Sequence, residues 1–366
     1  MGENINMKIM IIIPAWNEEK SITFSLESIL NQTRIPDRII VVPNNTSDQT
    51  IKVATSIDAA VEILEMPGFN KDKKAGAINY ALNNLAEVLN LWEDSAVLIM
   101  DADTIIEPNF IEKAESKMRE NLTIGGVGSI FTGRKTDKFL GLAQRMEYIR
   151  YANVIKRRPE AYVLSGTASL FRWSALKDVK KARQKGTKIP KGKDYYDTQS
   201  LTEDNEITFA LHALGYTTPT CGVHSITDIM ETTKDLYHQR KRWYLGALQN
   251  ILAYAWKMPK WARFIYWRQQ IGLLLSLILF PIMMIAFKLW MITGFQTHYI
   301  FVTIFSIIIP LYLFVQVITV WKLGWKARLV ALLYIPEILY SILLIIFYGV
   351  ALVNFITKKN VDWRHT

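Results

Sequence analysis

Asp101-Ala102-Asp103 directly follow the apolar run Ser95–Met100. Alternate residues of an extended segment point the same way, so both carboxylates can address one ion. Hard oxygen ligands at that spacing suit Mg2+ or Mn2+, with diphosphate oxygens and water completing the shell. Such an ion would neutralise charge developing on a departing diphosphate. The competing reading is a solvated turn after a strand. Thr202-Glu203-Asp204 places two more carboxylates before the helical pattern Glu206–Leu214, where an acid is also an ordinary helix cap. Lys74, in the cluster Lys71–Gly76, could meet phosphate together with nearby backbone amides, or simply belong to a solvated loop. Ser165-Gly166-Thr167-Ala168 is small enough for a backbone to approach a sugar. Gln239, Arg242 and Trp243 are spaced i, i+3, i+4 and share one helix face. Arg242 suits diphosphate oxygens, Trp243 offers a plane for a sugar ring, and the Gln239 amide suits hydroxyls. Basic and aromatic residues of this kind also anchor helices at a membrane interface.

These residues need a scaffold that gathers them. Lys8–Ile13, Arg38–Val42, Val61–Glu65 and Ser95–Met100 are short β-branched runs that read as strands. Ser21–Asn31 (with Ser21 as N-cap), Thr50–Ile57, Lys73–Leu89 and Phe110–Arg119 read as helices between and after them. Strands alternating with helices predict an open parallel sheet covered on both faces, with ligands at the C-terminal strand ends. The polar loops 14–19, 44–48 and 101–103 all fall at those ends. Leu140–Lys156 reads as an amphipathic helix, packed on the sheet or resting near a membrane surface. Lys177–Lys193, basic and containing two glycines and a proline, reads as a solvated loop or a lipid-facing one.

Half of the 366 residues are hydrophobic, and the formal charge is +10. The apolar residues concentrate after residue 270, so anionic lipid or a phosphate-bearing substrate explains the charge better than nucleic acid does. No base-reading motif supports nucleic acid as a partner. The single cysteine, Cys221, excludes an intrachain disulfide and a cysteine-built metal site. Ile9–Ile13 is too short for the apolar core of a signal peptide, which predicts a cytosolic location for the residues before the membrane segments. Ile271–Ile292, Tyr299–Trp321 and Leu329–Ile356 are long enough to span, with Lys288 and Glu337 as charged interruptions. The second connection, Lys322–Arg328, is basic and the first, Thr293–His298, is not, which places the second inside. The tail from Lys358 is basic as well, in conflict with three complete spans.

In order along the chain, Ile11–Glu19, Asn44–Thr50, Lys74–Asn79, Asp101–Asp103, Ser165–Ala168, Thr202–Asp204 and Gln239–Trp243 resemble the motifs of family 2 glycosyltransferases. That inverting, GT-A-fold family includes cellulose, chitin and hyaluronan synthases. The resemblance covers roughly residues 7 to 260. It implies that Asp204 is the general base. It implies a donor and diphosphate site of Pro14, Ala15, Asn17, Glu18, Asn44, Lys74, Asp101, Ala102, Asp103 and Arg242. The implied acceptor site is Ser165, Gly166, Thr167, Glu203, Gln239 and Trp243, and the implied metal ligands are Asp101 and Asp103. One departure is Asn44, which stands where the family usually has an aspartate that contacts uracil; an amide oxygen can still accept from a base N–H.

The expected organisation is a Rossmann-like, mostly parallel α/β domain over 1–234 and interfacial helices over 235–268. A transmembrane region over 269–357 and a tail over 358–366 complete it. The expected activity is metal-dependent transfer from a nucleotide sugar, UDP-linked by preference, to a growing β-linked polysaccharide at the cytosolic membrane face. A single transfer to a membrane lipid is the alternative. Three spans make a narrow channel, so a homo-oligomer is one way to enlarge it.

Overall fold

The computed structural model describes residues 7–158, 160–254, 256–293 and 299–358. Two compact units interleave along the chain. The first takes Met1–Arg134, Val154–Asp228 and Gln249–Arg263; the second takes Lys135–Asn153, Ile229–Leu248 and Phe264–Thr366.

The first unit begins with β1 (Lys8–Ala15), α1 (Ile22–Leu30), β2 (Arg38–Pro43), α2 (Thr50–Ile57), β3 (Val61–Ile63), α3 (Lys73–Asn84), α4 (Ala86–Leu91) and β4 (Ser95–Met100). It continues with β5 (Ile105–Ile106), α5 (Phe110–Arg119) and β6 (Gly126–Gly133). After α6 (Phe139–Ile155) come β7 (Ala168–Arg172), α7 (Trp173–Lys185), α8 (Glu203–Leu214) and β8 (Thr220–Thr227). The eight strands form one sheet in the order β3-β2-β1-β4-β7-β6-β8-β5. The expected parallel half is present: β1 pairs in parallel with β2 and β4, and β2 with β3. Beyond β4 the sheet is mixed, because β7 runs antiparallel to both β4 and β6. Ile9 to Ile13 and Val97 to Met100 are almost wholly buried, which is why these strands lack polar alternation. Ile22, Leu26 and Ile29 press one face of α1 onto the same core.

Three local expectations change. Ser21 precedes α1 without capping it; its hydroxyl turns to Glu18 instead. The single helix expected over Lys73–Leu89 is two, α3 and α4, meeting at Leu85, whose N–H still reaches the Ala81 carbonyl. The basic stretch Lys177–Lys193 is no loop in its first half. It lies in α7 as far as Lys185, where Gly186 stops the helix at φ 65°. Trp173, Leu176, Val179 and Arg183 give α7 its buried face, so the surrounding lysines disguise a packed helix.

The second unit holds most of α6, most of α9 (Thr233–Tyr254), and then α10 (Lys260–Thr293), α11 (Tyr299–Thr319), α12 (Trp325–Leu333) and α13 (Ile335–Ile356). α6 packs against helices here: Ala143 joins Leu236, Tyr340 and Phe347, and Met146 joins Val320, Ala327 and Ala331. Among the described residues two helical stretches are long and apolar enough to cross a membrane, Lys260–Ile285 and Ile335–Ile356. Few residues of the first stretch are buried, and Leu275, Ile278, Leu279 and Ile282 are exposed. A water-soluble helix would hide such residues, so lipid is the solvent that suits them. The expected continuous span Leu329–Ile356 is broken at Tyr334, which adopts φ 59°. Pro336 suits the break: without an N–H it cannot carry the helical ladder back to Leu332, and it fits the first turn of α13, where an N–H would lack a partner anyway. Glu337 in that turn is paired with Arg150 of α6 through two bonds of 2.7 and 2.9 Å. Residues 294–298 and the tail from 359 lie outside the described residues, and with them most of the first connection and the question of which side holds the tail.

Candidate active site

The site grows from the C-terminal ends of β1 and β4 and from the start of α8. β4 is buried along its whole length, so the chain emerges into solvent only at Asp101, whose side chain is 31% exposed. The Asp101 N–H donates to the carbonyls of Gly166 (3.1 Å) and Thr167 (3.4 Å). The Gly166 N–H in turn donates to Asp204 Oδ2 at 3.3 Å. One small loop therefore ties the Asp101 backbone to the Asp204 carboxylate. Glycine at 166 makes room for Lys74, a reason the sequence did not show. A Cβ there would sit 2.5 Å from Lys74 Nζ and 3.2 Å from Asp101 Oδ2.

Lys74 does not stand open for a phosphate. Its Nζ lies 2.5 Å from Asp101 Oδ1 and 2.9 Å from Glu203 Oε1, so one ammonium links two carboxylates. Burial alone would pull Lys74 down, but Asp101, Glu203 and Asp204 hold it far above the ordinary lysine range. Asn79, one turn on in α3, grips the backbone of Tyr196 with two bonds of 2.9 Å. Tyr196 then lines a small cavity together with Lys74, Ser165, Gly166, Glu203 and Asp204.

Asp204 occupies the first turn of α8. Its Oδ1 accepts from the Asn205 N–H at 2.7 Å, so it does part of a capping residue's work. Burial and the Glu203 charge raise its pKa to about 6, with Lys74 opposing. A carboxylate poised there is ionised at neutral pH yet binds a proton more readily than a solvated one, as a general base needs. α8 is fixed from behind. Asn250 Nδ2 donates to Thr202 Oγ1 (3.1 Å) and Asn205 Oδ1 (2.9 Å). Arg183 clasps Glu206 through bonds of 3.0 and 2.9 Å, and Tyr254 also donates to Glu206. None of these supports was legible beforehand, since they come from helices distant in sequence.

Asp103 and Glu18 extend the acidic group. Burial, and then the Asp228 charge, raises Asp103. Burial raises Glu18 to about 7, with Asp103, Asp101 and Asp228 adding to the rise and a bond from Ser21 opposing it. Asp228 was missed in the sequence. The signal was available, because it follows β8 as Asp101 follows β4, and Arg134 pairs with it at 2.8 Å. Among the described residues no group of three or more His, Cys, Asp or Glu is arranged to hold a metal ion by itself. Carboxylates that repel one another, all hard oxygen donors, would nevertheless suit a divalent cation, which would relieve their repulsion.

The remaining candidates divide. Ala15 and Asn17 close the β1 end. The Ala15 carbonyl accepts from Asn44 N–H and Thr46 Oγ1, and Asn17, at φ 55°, accepts the Ser47 N–H at 2.8 Å. Pro14 is buried beside them and Ala102 turns into the core. The Asn44 side-chain oxygen, expected to face a nucleobase, accepts from Asn70 Nδ2 at 2.6 Å. The Ser165 and Thr167 hydroxyls, expected to line an acceptor pocket, meet each other at 2.5 Å, and Thr167 reaches Ser225 at 3.1 Å. They stabilise the Gly166 loop from within. Gln239, Arg242 and Trp243 lie on α9 in the second unit. Gln239 is buried there, and its Oε1 has no hydrogen-bond partner among the described residues.

Comparison with known proteins bears on the family and the fold. Residues 10–180 match the protein-family profile described as glycosyl transferase family 2, and residues 96–356 match that described as glycosyl transferase family group 2. The poly-beta-1,6-N-acetyl-D-glucosamine synthase of Staphylococcus epidermidis is 25% identical over 259 residues, covering 69% of this chain and 57% of that protein. Its Staphylococcus aureus (strain COL) counterpart is 24% identical over 263 residues, covering 70% and 58%. The chain thus spans less than two thirds of the length of these relatives. Among solved structures, a mannosyltransferase from Pyrobaculum calidifontis in complex with GDP-Man and Mn2+ superposes with a TM-score of 0.61. That likeness covers 98% of this chain and 89% of that one at 17% identity, and it speaks for the fold alone.

Proposed function

Starting from a chain that belongs to glycosyl transferase family 2, we propose that it is an inverting enzyme moving a sugar from a nucleotide sugar to a growing β-linked polysaccharide. The reaction takes place at the cytosolic face of a membrane held by the apolar helices. The observation that carries this reading is the tie between Asp204 and Asp101 through the Gly166 loop, with Lys74 bridging Asp101 to Glu203. This closeness supports a reading in which Asp204 is the base and Asp101 serves the diphosphate through a metal ion. An acceptor hydroxyl attacks the anomeric carbon from the face opposite the nucleotide. Asp204 takes the hydroxyl proton as the new C–O bond forms, the bond to the diphosphate breaks, and its electron pair leaves with the diphosphate. Inversion needs no covalent intermediate, so one base suffices. Asp101 and Asp103 would hold Mg2+ or Mn2+, which supplies charge neutralisation at the leaving group. Arg242, Gln239 and Trp243 serve the diphosphate and the acceptor sugar.

The relatives are named for a β-1,6-linked N-acetylglucosamine polymer, which makes UDP-N-acetylglucosamine the first donor to try. The test uses purified protein in lipid nanodiscs with Mn2+ or Mg2+ and a panel of labelled nucleotide sugars, followed by sizing of the labelled product. A high-molecular-weight, glycosidase-sensitive product supports polymer synthesis. A small, solvent-extractable product shifts the reading to glycosylation of a membrane lipid, which the exposed apolar face of Lys260–Ile285 would bring close. Chelation of the metal should abolish transfer, and transfer that survives chelation rules out the metal role of Asp101 and Asp103.

A further inference from the structure

Two arginines stand close together in Gln239-Arg240-Lys241-Arg242-Trp243, and the structure separates them. Arg242 is half-buried, whereas the Arg240 side chain is 5% exposed and turned into the second unit. Its Nη1 and Nη2 donate to Glu147 Oε1 and Oε2 on α6, each at 2.9 Å. The Tyr340 hydroxyl of α13 donates to the same Glu147 Oε2 at 2.6 Å. The guanidinium carbon also lies 4.6 Å from the centroid of the Trp243 ring, one turn further along α9. A continuous path therefore runs from the apolar helix α13 through Tyr340, Glu147 and Arg240 to the indole. Both terminal nitrogens of Arg240 are taken by Glu147, so the group is not disposed to bind an anionic ligand. A lysine would satisfy the ion pair. Only a planar fork meets a carboxylate with two parallel bonds and offers a flat cation to an aromatic face at once.

We propose that Arg240 is a positioning residue that fixes the orientation of the Trp243 ring for the acceptor sugar, and that α13 holds it in place through Tyr340 and Glu147. The claim deepens the proposed function and rests on it for the role of Trp243. A membrane helix thereby sets the pose of a side chain that serves the acceptor, without touching the sugar itself.

The test compares the wild type with Arg240→Lys and Tyr340→Phe in nanodiscs, with two readouts. The first is sugar transfer to an added oligosaccharide, with acceptor and donor concentrations varied separately. Arg240→Lys should raise the acceptor KM about tenfold, the scale of one desolvated cation–π contact. The donor KM should stay within about twofold of wild type, because no donor contact is removed. Tyr340→Phe should move the acceptor KM the same way by a smaller factor, and it serves alone if Arg240→Lys does not fold. Donor and acceptor KM rising together, or neither moving, overturns the proposal. The second readout needs no turnover: 19F spectra of protein labelled with 5-fluorotryptophan, with the Trp243 line assigned by Trp243→Phe. That line should shift or broaden in both variants, and an unchanged line overturns the proposal. A wild type that transfers no sugar would sink the proposed function, while the 19F result would still decide whether Arg240 positions Trp243.

Discussion

The two units handle buried charge in opposite ways. In the first, Glu18, Asp101, Asp103, Glu203, Asp204 and Asp228 gather around the C-terminal strand ends, with Lys74 and Arg134 as the cations paired to them in the described structure. In the second, two ion pairs are matched one to one, Arg150 with Glu337 and Arg240 with Glu147, each in two-bond geometry. A matched pair satisfies itself and fixes two helices relative to each other. An unmatched cluster stores repulsion that a substrate or cation relieves, which is why perturbed carboxylates mark sites of chemistry. The distinction also holds inside the first unit. Arg183 and Glu206, each 1% exposed, are matched and serve as a support, although Glu206 lies only two residues beyond Asp204 in α8.

The sharpest break in this comparison comes from Asp204→Asn. Removing an unmatched charge should cost activity and spare the fold. Turnover should fall about a thousandfold, within the usual range for a lost general base. Nucleotide binding should persist and the thermal midpoint should hold or rise. A midpoint that drops instead would show that Asp204 is a structural cap. Arg183→Leu should do the reverse. It strands Glu206 in the core and should cost about 3–5 kcal/mol, read as a lower thermal midpoint, with KM for donor unchanged in the protein that stays folded. Equal stability losses for the two variants would erase the contrast.

His212 sharpens the same point from the neutral side. Burial lowers its pKa to about 4, and its Nε2 meets Thr218 Oγ1 at 2.7 Å. The folded state therefore keeps the ring neutral while the unfolded chain takes up a proton below pH 6.5. Stability should fall as pH drops from 6.5 to 4, by up to about 3 kcal/mol. His212→Asn should flatten that part of a melting-temperature profile, and an unchanged acid slope would exclude the residue as its source. The smallest effect is expected from Glu337→Gln in the second unit. Arg150 keeps its bond to Thr319, so the loss should be about 1–2 kcal/mol, seen as a modest drop in the detergent melting midpoint. A drop as large as that of Arg183→Leu would mean that this pair is as dry as the one in the core.

Much of the site was legible because its residues lie where strands end. Asp101 and Asp103 follow the apolar run of β4, so local pattern placed them at the sheet edge, whereas Asp204 read locally as a helix start and joined them only through the family resemblance. The order of the motifs added the family. The supports were not legible. Arg183 hid in a lysine-rich stretch, and Asn250 and Tyr254 sit on α9, far along the chain from the α8 residues they hold. Some named residues proved to have different work: Gly166 makes room for Lys74, the Ser165 and Thr167 hydroxyls brace one another, and Lys74 bridges acids.

Sequence by itself determined the sheet's parallel half, the apolar helices and the carboxylates at the strand ends, because periodicity and burial act over a few residues. Tertiary structure alone decided which charges are matched. Ion pairing depends on distances between elements far apart in the chain, so Arg240 belongs to Glu147 and Lys74 to Asp101 and Glu203 for reasons that no local pattern encodes.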